Sequence, residues 1–422
     1  MKKDGFIESS SFLFIGMMVG NVINYLFQLT MGRMLSVKTY GEMNTLMSIL
    51  LVLSFPVSSI TLFLTKSLSH NCALGRYETV KKFIAKTYKL VLTIGIITSI
   101  AGSLFSGLTS RLLKIDSILP VILLFMSTGV YVLVPINIAI LQGFHRFKIL
   151  SFITAAISLF KYAIGVTLVA AGFGLNGTII GLMLSYVLTA YISYIPIRAE
   201  LKNTRWSFND NPSNASDVSL SFLIPVTVAS LAFAILIQTD LLLVKYFFSP
   251  SEAGIFSSAA IIAKSLLYVP IAIVTTLLPM VASNIARAEK TISLIIKAFV
   301  ITIVLSGGGT VVLNVFPETI ISVFFGAKFL PASKIVGLYA LAMLPMTLVM
   351  VLINYNIARD KTFFAYITLL CSFAQVAGIV LFHKDVATVL KVILTSGSFC
   401  LTVLLSLLAL EYYRITHHHR QV

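Results

Sequence analysis

Runs of about 20 apolar residues follow one another along the whole chain, and no other feature limits its folding so severely. Each run is long enough to cross roughly 30 Å of hydrocarbon as a helix. Inside lipid every backbone N–H and C=O needs a partner within the protein, which leaves helices and closed barrels as the available forms. Barrel strands would be about 10 residues long and would alternate in polarity. These runs are twice that length and apolar all round, so the prediction is an all-α polytopic membrane protein. Composition agrees: 58% of residues are hydrophobic and 11% charged, where soluble domains carry about 25% charged residues.

Twelve spans are predicted, near 10–31, 43–66, 83–106, 119–142, 149–171, 177–196, 218–245, 253–282, 291–314, 332–356, 363–382 and 386–411. The longest hydrophilic gap runs from Ile197 to Asp217 and reads as a linker, dividing the chain into six-helix lobes at 1–205 and 206–422. The apolar run near the N-terminus is full length and no small-x-small site follows it, so it is read as a retained helix and not a cleaved signal.

The lobes carry traces of a repeat. Leu35-Ser36 to Gly41 at the exit of the first helix matches Phe248-Ser249 to Gly254 at the exit of the seventh, 213 positions later. Leu119-Pro120 recurs as Leu330-Pro331, and Pro135 as Pro345, at offsets of 211 and 210. An even number of helices per lobe makes the repeats parallel. The expectation is a pseudo-two-fold axis along the membrane normal and a central cavity between lobes.

With the N-terminus inside, the inner segments hold 20 Lys and Arg and the outer loops 9, while Lys161 and Lys264 fall within spans. That bias predicts cytoplasmic N- and C-termini in an inner, cytoplasmic membrane. The net charge of +16 is then mostly topology. A nucleic-acid partner is not expected, because the basic residues gather on no soluble face. Cys72, Cys371 and Cys400 are isolated and imply no disulfide framework. His417 to His419 would bind a metal only adventitiously, so no metal site is assigned. No Walker A sequence appears, so ATP is not expected as a cofactor.

Candidate functional residues are the polar ones inside spans, which cost roughly 2.5–3.5 kcal/mol each for a mid-helix Lys or Asp. Lys161 lies about twelve residues into the fifth span and Lys264 about eleven into the eighth, both near the midplane. A Lys stem of about 6 Å cannot reach a headgroup some 15 Å away, so both are assigned to a cavity that receives an anion. Asn21, Asn24 and Gln28 recur on one face of the first helix, as interhelical glue or as cavity lining. Arg33 ends that helix as a further cavity candidate or an interfacial anchor. Asp240 is the acid well inside a span, a candidate for ion coupling or for a structural ion pair. It lies about 9 Å above Lys264 in depth, so a direct pair between them is not assumed. Prolines 56, 135, 225, 270 and 345 suggest bent helices, and Gly307 to Gly309 a hinge or a close contact.

The segment Met31 to Gly41, MGRMLSVKTYG, resembles the GR-x-LS-xxx-YG signature after the first helix of lipid-linked polysaccharide flippases of the O-antigen type. Thr239 to Phe256, TDLLLVKYFFSPSEAGIF, is similar to the seventh-helix exit of the same family, and Gly172 to Gly177 and Phe325 to Lys328 also fit it. These proteins share a superfamily with the multidrug and toxin extrusion transporters. The resemblance implies a non-enzymatic flippase that moves a polyprenyl-diphosphate-linked oligosaccharide from inner to outer leaflet by alternating access, for surface polysaccharide biosynthesis. It implies the glycan lipid and the bilayer as partners, with other polysaccharide-assembly membrane proteins, and a proton or sodium gradient or the membrane potential as the energy source. A multidrug/cation antiporter is the rival transporter reading; it wants deep carboxylates, and Asp240 is near an edge. A membrane-bound glycan polymerase or ligase would need a large reactive outer loop, which the sequence lacks.

Topology is directly testable. Reporter fusions after Lys202 and Arg359 should read cytoplasmic, and those after Lys114 and Gly174 external. A consistent reversal overturns the orientation, and an odd number of crossings overturns the two-lobe division.

Overall fold

The computed structural model describes residues 3–203, 220–268, 273, 281, 291–359 and 361–418. Its Cα positions divide into an N-terminal unit, 1–223, and a C-terminal unit, 224–422. The lobe boundary placed at 205/206 lies outside the described residues.

In the N-terminal unit, α1 (Lys3–Met34) and α2 (Val37–Ala73) are separated by two residues. Ser36 makes that turn possible: its hydroxyl accepts from the N–H of Thr39 at 3.1 Å, satisfying one of the amides that open a helix. The Lys38 ammonium then bonds Asp116, which holds the lysine above its ordinary pKa. Next come α3 (Tyr77–Leu104) and the short α4 (Ser106–Leu112). The fourth span is broken into α5 (Leu119–Tyr131) and α6 (Leu133–Gly143). Pro135 explains the break, because it offers no N–H to the carbonyl four residues back, that of Tyr131. Helix α7 (Phe147–Leu168) passes through a π turn at Val169–Phe173 into α8 (Gly174–Asn203). Gly172 (φ 93°) and Gly174 (φ 49°) make this reversal, in a backbone region that side chains resist. The loop expected between the fifth and sixth spans is thus a turn of a few residues.

Small residues let α1 lie against α7. A Cβ at Gly16 would meet the Ser151 carbonyl at 2.5 Å, and one at Gly20 the Thr154 carbonyl at 3.0 Å. In lipid, where burying apolar surface between helices gains little, such close packing supplies the association.

The C-terminal unit repeats the opening. Helices α9 (Leu220–Phe247) and α10 (Pro250–Lys264) are joined by two residues, and Ser249 and Glu252 form a capping box. Residues 269–290 lie outside the description apart from Ile273 and Val281, so the end of the eighth span and Pro270 are not placed. Then follow α11 (Ile292–Val315), the short α12 (Pro317–Phe325), α13 (Ser333–Ala358), α14 (Phe363–Leu381) and α15 (Val386–His418). Gly307 to Gly309 do not interrupt α11; a Cβ at Gly309 would meet Leu266 at 2.5 Å, so this glycine serves close packing. Pro345 sits inside an unbroken α13, unlike Pro135. Eight described stretches are long and apolar enough to cross a membrane, and one of them, Phe147–Lys202, contains both α7 and α8. Every predicted run holds a described helix, and the chain is an all-helical, polytopic membrane protein.

Each unit also ties the turn between its fourth and fifth spans to its sixth span with an Arg–Glu pair. Arg146 donates to Glu200 at 2.6 and 3.1 Å in the first unit, and Arg359 to Glu411 at 2.9 Å in the second. The two arginines are 213 positions apart and the two glutamates 211, matching the repeat seen in the sequence.

The two pairs differ in burial. Arg146 is 52% exposed, whereas Arg359 is 9% exposed, and its guanidinium lies 5.2 and 5.4 Å from the rings of Tyr355 and Tyr412. Exposed pairs are worth about 0–1 kcal/mol, while a desolvated arginine also contributes its packing. Arg359→Ala should therefore lower the thermal midpoint in detergent by clearly more than Arg146→Ala. Equal shifts would show that burial of the second pair carries no extra stability.

Candidate functional site

Lys161 projects from α7 onto α1. Its ammonium donates to Asn24 Oδ1 and lies 4.7 Å from the centre of the Phe27 ring. Asn24 in turn donates from Nδ2 to Ser158 Oγ at 2.9 Å. The amide, the hydroxyl and the aromatic face are all neutral. Among the described residues no carboxylate lies within ion-pair distance of Lys161, so its charge is solvated but not cancelled.

The polar stripe on α1 faces two neighbours. Asn24 serves α7, while Gln28 accepts from the hydroxyl of fully buried Tyr40 on α2 at 3.2 Å and reaches Met47 Sδ at 3.7 Å. Asn21 is exposed, as is Arg33 at the end of the helix. The structure therefore brings together Lys161 and Asn24; it does not gather Asn21, Gln28 and Arg33 around them.

Lys264 has a different environment. Its ammonium lies 2.9 Å from Asp240 Oδ1 and also donates to the carbonyl of Ile237. Asp240 is fully buried; its Oδ1 further accepts from the N–H of Leu241 at 2.7 Å, and its Oδ2 accepts from the hydroxyl of Tyr339. Tyr339, from α13, stacks on Phe256 of α10 with ring centres 5.0 Å apart. The lysine thus ends in a neutral cluster.

The separation of about 9 Å in depth that argued against a direct pair is closed by side-chain direction. Side chains lean toward the N-terminus of their own helix. Helices α9 and α10 form a hairpin, so Asp240 leans away from the turn and Lys264 leans toward it. The ammonium reaches the Ile237 carbonyl as well, nearly one helical turn from Asp240.

Two participants were missed by the sequence reading. Tyr339 carried no signal, since an aromatic residue in an apolar run reads as core. Gln375 did carry one, being a buried amide inside α14. It donates to the Leu236 carbonyl of α9 at 2.8 Å and accepts from Ser396 at 2.9 Å. Among the described residues no three His, Cys, Asp or Glu side chains gather into a group able to hold a metal ion.

The fold is that of solved MOP-superfamily transporters. An inward-facing multidrug resistance MATE family transporter superposes with a TM-score of 0.72 at 12% identity, covering 93% of this chain and 96% of its own. Lipid II flippase MurJ, in an inward closed conformation, gives 0.68 at 16% identity, covering 96% and 87%. A MOP superfamily transporter from Pyrococcus furiosus gives 0.61 at 13%, covering 94% and 93%. No curated protein matches the chain in sequence. The sequence profile of the polysaccharide biosynthesis protein family matches residues 30–334, and the chain belongs to that family.

Burying a charge pair and then removing one member leaves the other uncompensated, at about 3–5 kcal/mol. Asp240→Asn and Lys264→Met should each destabilise the detergent-solubilised protein strongly. The double variant should lose less than the sum of the two, and additive losses would deny the coupling.

Proposed function

We propose that this protein flips a polyprenyl-diphosphate-linked oligosaccharide from the inner to the outer leaflet of the cytoplasmic membrane by alternating access, for surface polysaccharide assembly. Family membership supports the pathway, and the likeness to Lipid II flippase MurJ is consistent with a lipid-linked glycan as cargo. The observation that carries the reading is the half-buried Lys161, whose positive charge is held by neutral groups alone. A diphosphate brings about two negative charges that must be desolvated, and a cation without a carboxylate partner offsets that cost directly. The polyprenyl tail stays in lipid, and the sugars meet amide and hydroxyl groups.

Lys264 enters this reading differently from Lys161. Its charge is already balanced by Asp240, so its part is to position α9, α10 and α13, and the diphosphate falls to Lys161. The same pairing weakens the cation-antiporter alternative, because both oxygens of Asp240 are engaged. The protein acts as a transporter and not as an enzyme. Its termini lie in the cytoplasm, and a proton or sodium gradient or the membrane potential drives net movement. The glycan lipid and neighbouring polysaccharide-assembly proteins are its partners.

Charge substitution at Lys161 tests the proposal at matched membrane abundance. Lys161→Arg should keep much of the transport, since the charge persists with altered geometry. Lys161→Ala should reduce it several-fold, and Lys161→Glu should nearly abolish it, with lipid-linked oligosaccharide accumulating on the inner leaflet. Normal surface glycan in a well-inserted Lys161→Glu variant would overturn the cationic site. Sensitivity to cationic dyes with intact glycan on deletion would transfer the assignment to the antiporter.

A further inference from the structure

A second feature of the N-terminal unit lies away from Lys161, between α3, α6 and α8. A cavity of about 460 Å³ is lined there by Tyr88, Leu92, Leu133, Asn137, Tyr191 and Tyr194. That size falls within the roughly 300–1,000 Å³ of ordinary ligand sites. The tyrosines of α3 and α8 meet across it, with the Tyr88 and Tyr194 ring centres 6.4 Å apart and edge to face.

The polar atoms at its floor are already used. Tyr88 donates its hydroxyl hydrogen to Asn137 Oδ1, and Asn137 Nδ2 donates to the Ala190 carbonyl at 3.0 Å and to Ser193 Oγ at 2.8 Å. With that amide saturated, the groove offers an incoming molecule mainly aliphatic and aromatic surface. Tyr191 and Tyr194 are exposed at its rim. Tyrosines in such positions belong at the level of the headgroups, with an apolar body and a polar tip.

Beyond the tyrosines the same helix faces turn basic. On α8, Arg198 and Lys202 follow Tyr194 at four-residue intervals, and on α3, Lys81 precedes Tyr88 by two turns; all three cations are exposed. Such spacings keep residues on one face. Of the acids on these two helices, Glu200 pairs with Arg146 at 2.6 Å and Glu78 lies 4.0 Å from Lys82. Under the positive-inside orientation, which this inference adopts, the basic end faces the cytoplasm.

An apolar groove with saturated polar atoms, an aromatic rim and a cationic mouth at one leaflet matches a lipid with an anionic head. We infer that this groove binds an anionic glycerophospholipid of the inner leaflet, with one acyl chain against Tyr88, Leu92 and Tyr194 and the phosphate near Arg198, Lys202 and Lys81. The site is separate from the one assigned to the transported diphosphate, and its occupant is a resident lipid, not cargo.

Native mass spectrometry of the detergent-solubilised full chain tests this with equimolar phosphatidylglycerol and phosphatidylcholine. The unmodified protein should retain phosphatidylglycerol at least fivefold over phosphatidylcholine. The Lys81→Ala, Arg198→Ala, Lys202→Ala triple variant should bring that ratio close to one. Leu92→Trp, at a partly exposed position that fills the groove, should lower retention of phosphatidylglycerol with the thermal midpoint unchanged, and it serves if the triple variant fails to fold. Equal retention of the two lipids by the unmodified protein would overturn the site, as would a ratio untouched by these substitutions. Displacement of phosphatidylglycerol by an equal concentration of a polyprenyl phosphate would overturn the choice of occupant. None of these readings depends on transport, so loss of the flippase assignment would leave them standing.

Discussion

An ammonium group inside hydrocarbon has to be solvated by something, and each unit answers that demand at its first helix, by different means. In each, a lysine from a neighbouring helix is tied to the first helix of its own unit. In the C-terminal unit the tie is an ion pair, Lys264 with Asp240, completed by Tyr339 and a backbone carbonyl. In the N-terminal unit it is an amide and an aromatic face, Asn24 and Phe27. Both arrangements solvate the charge, but only the first cancels it. The helices around each lysine are fixed by these contacts together with the Gly16 and Gly20 contacts between α1 and α7, where lipid offers little other driving force.

The matched positions of the two units divide into a shared frame and a differing interior. The frame has been kept. Ser36 and Ser249 cap equivalent helices 213 residues apart, and an Arg–Glu pair ties the turn after the fourth span to the sixth in both units. The interior has diverged. At the same offset, Asp240 corresponds to Phe27 and Lys264 to Leu51. Lys161 corresponds to Ala374, next to Gln375, which bonds the first helix of its own unit through the Leu236 carbonyl. An alanine thus stands where the first unit has a cation. Capping and surface pairing serve any bundle of this shape and persist, whereas the charges inside it are free to specialise.

Much of this was legible in the sequence, because lipid leaves so few options. Span positions follow from apolar length, and the intramembrane Lys161, Lys264 and Asp240 stand out by their cost. The state of each charge was not legible. Depth counted along the chain treats residues as points on an axis, and with about 9 Å between Asp240 and Lys264 it gave no ground for assuming a direct pair. The lean of side chains toward each helix N-terminus, in opposite senses across a hairpin, closes that gap. The stripe of Asn21, Asn24 and Gln28 is similarly one face in sequence but divides between α7, α2 and an exposed position, because a helix in a bundle has more than one neighbour. Tyr339 was invisible for a third reason: its hydroxyl matters only because a carboxylate from another helix reaches it.

On the flippase reading, the unequal treatment of the two lysines has a mechanistic consequence. A carrier must hold its cargo firmly enough to desolvate a diphosphate and loosely enough to release it within the same cycle. Pairing with Asp240 leaves Lys264 as a structural tie within the C-terminal unit. Lys161, by contrast, is held by partners that lose little when it turns to a phosphate, because an amide and an aromatic ring are weaker competitors than a carboxylate. When the cargo leaves, the same neutral partners accept the ammonium again, and the empty site returns to its starting state without an unsolvated charge.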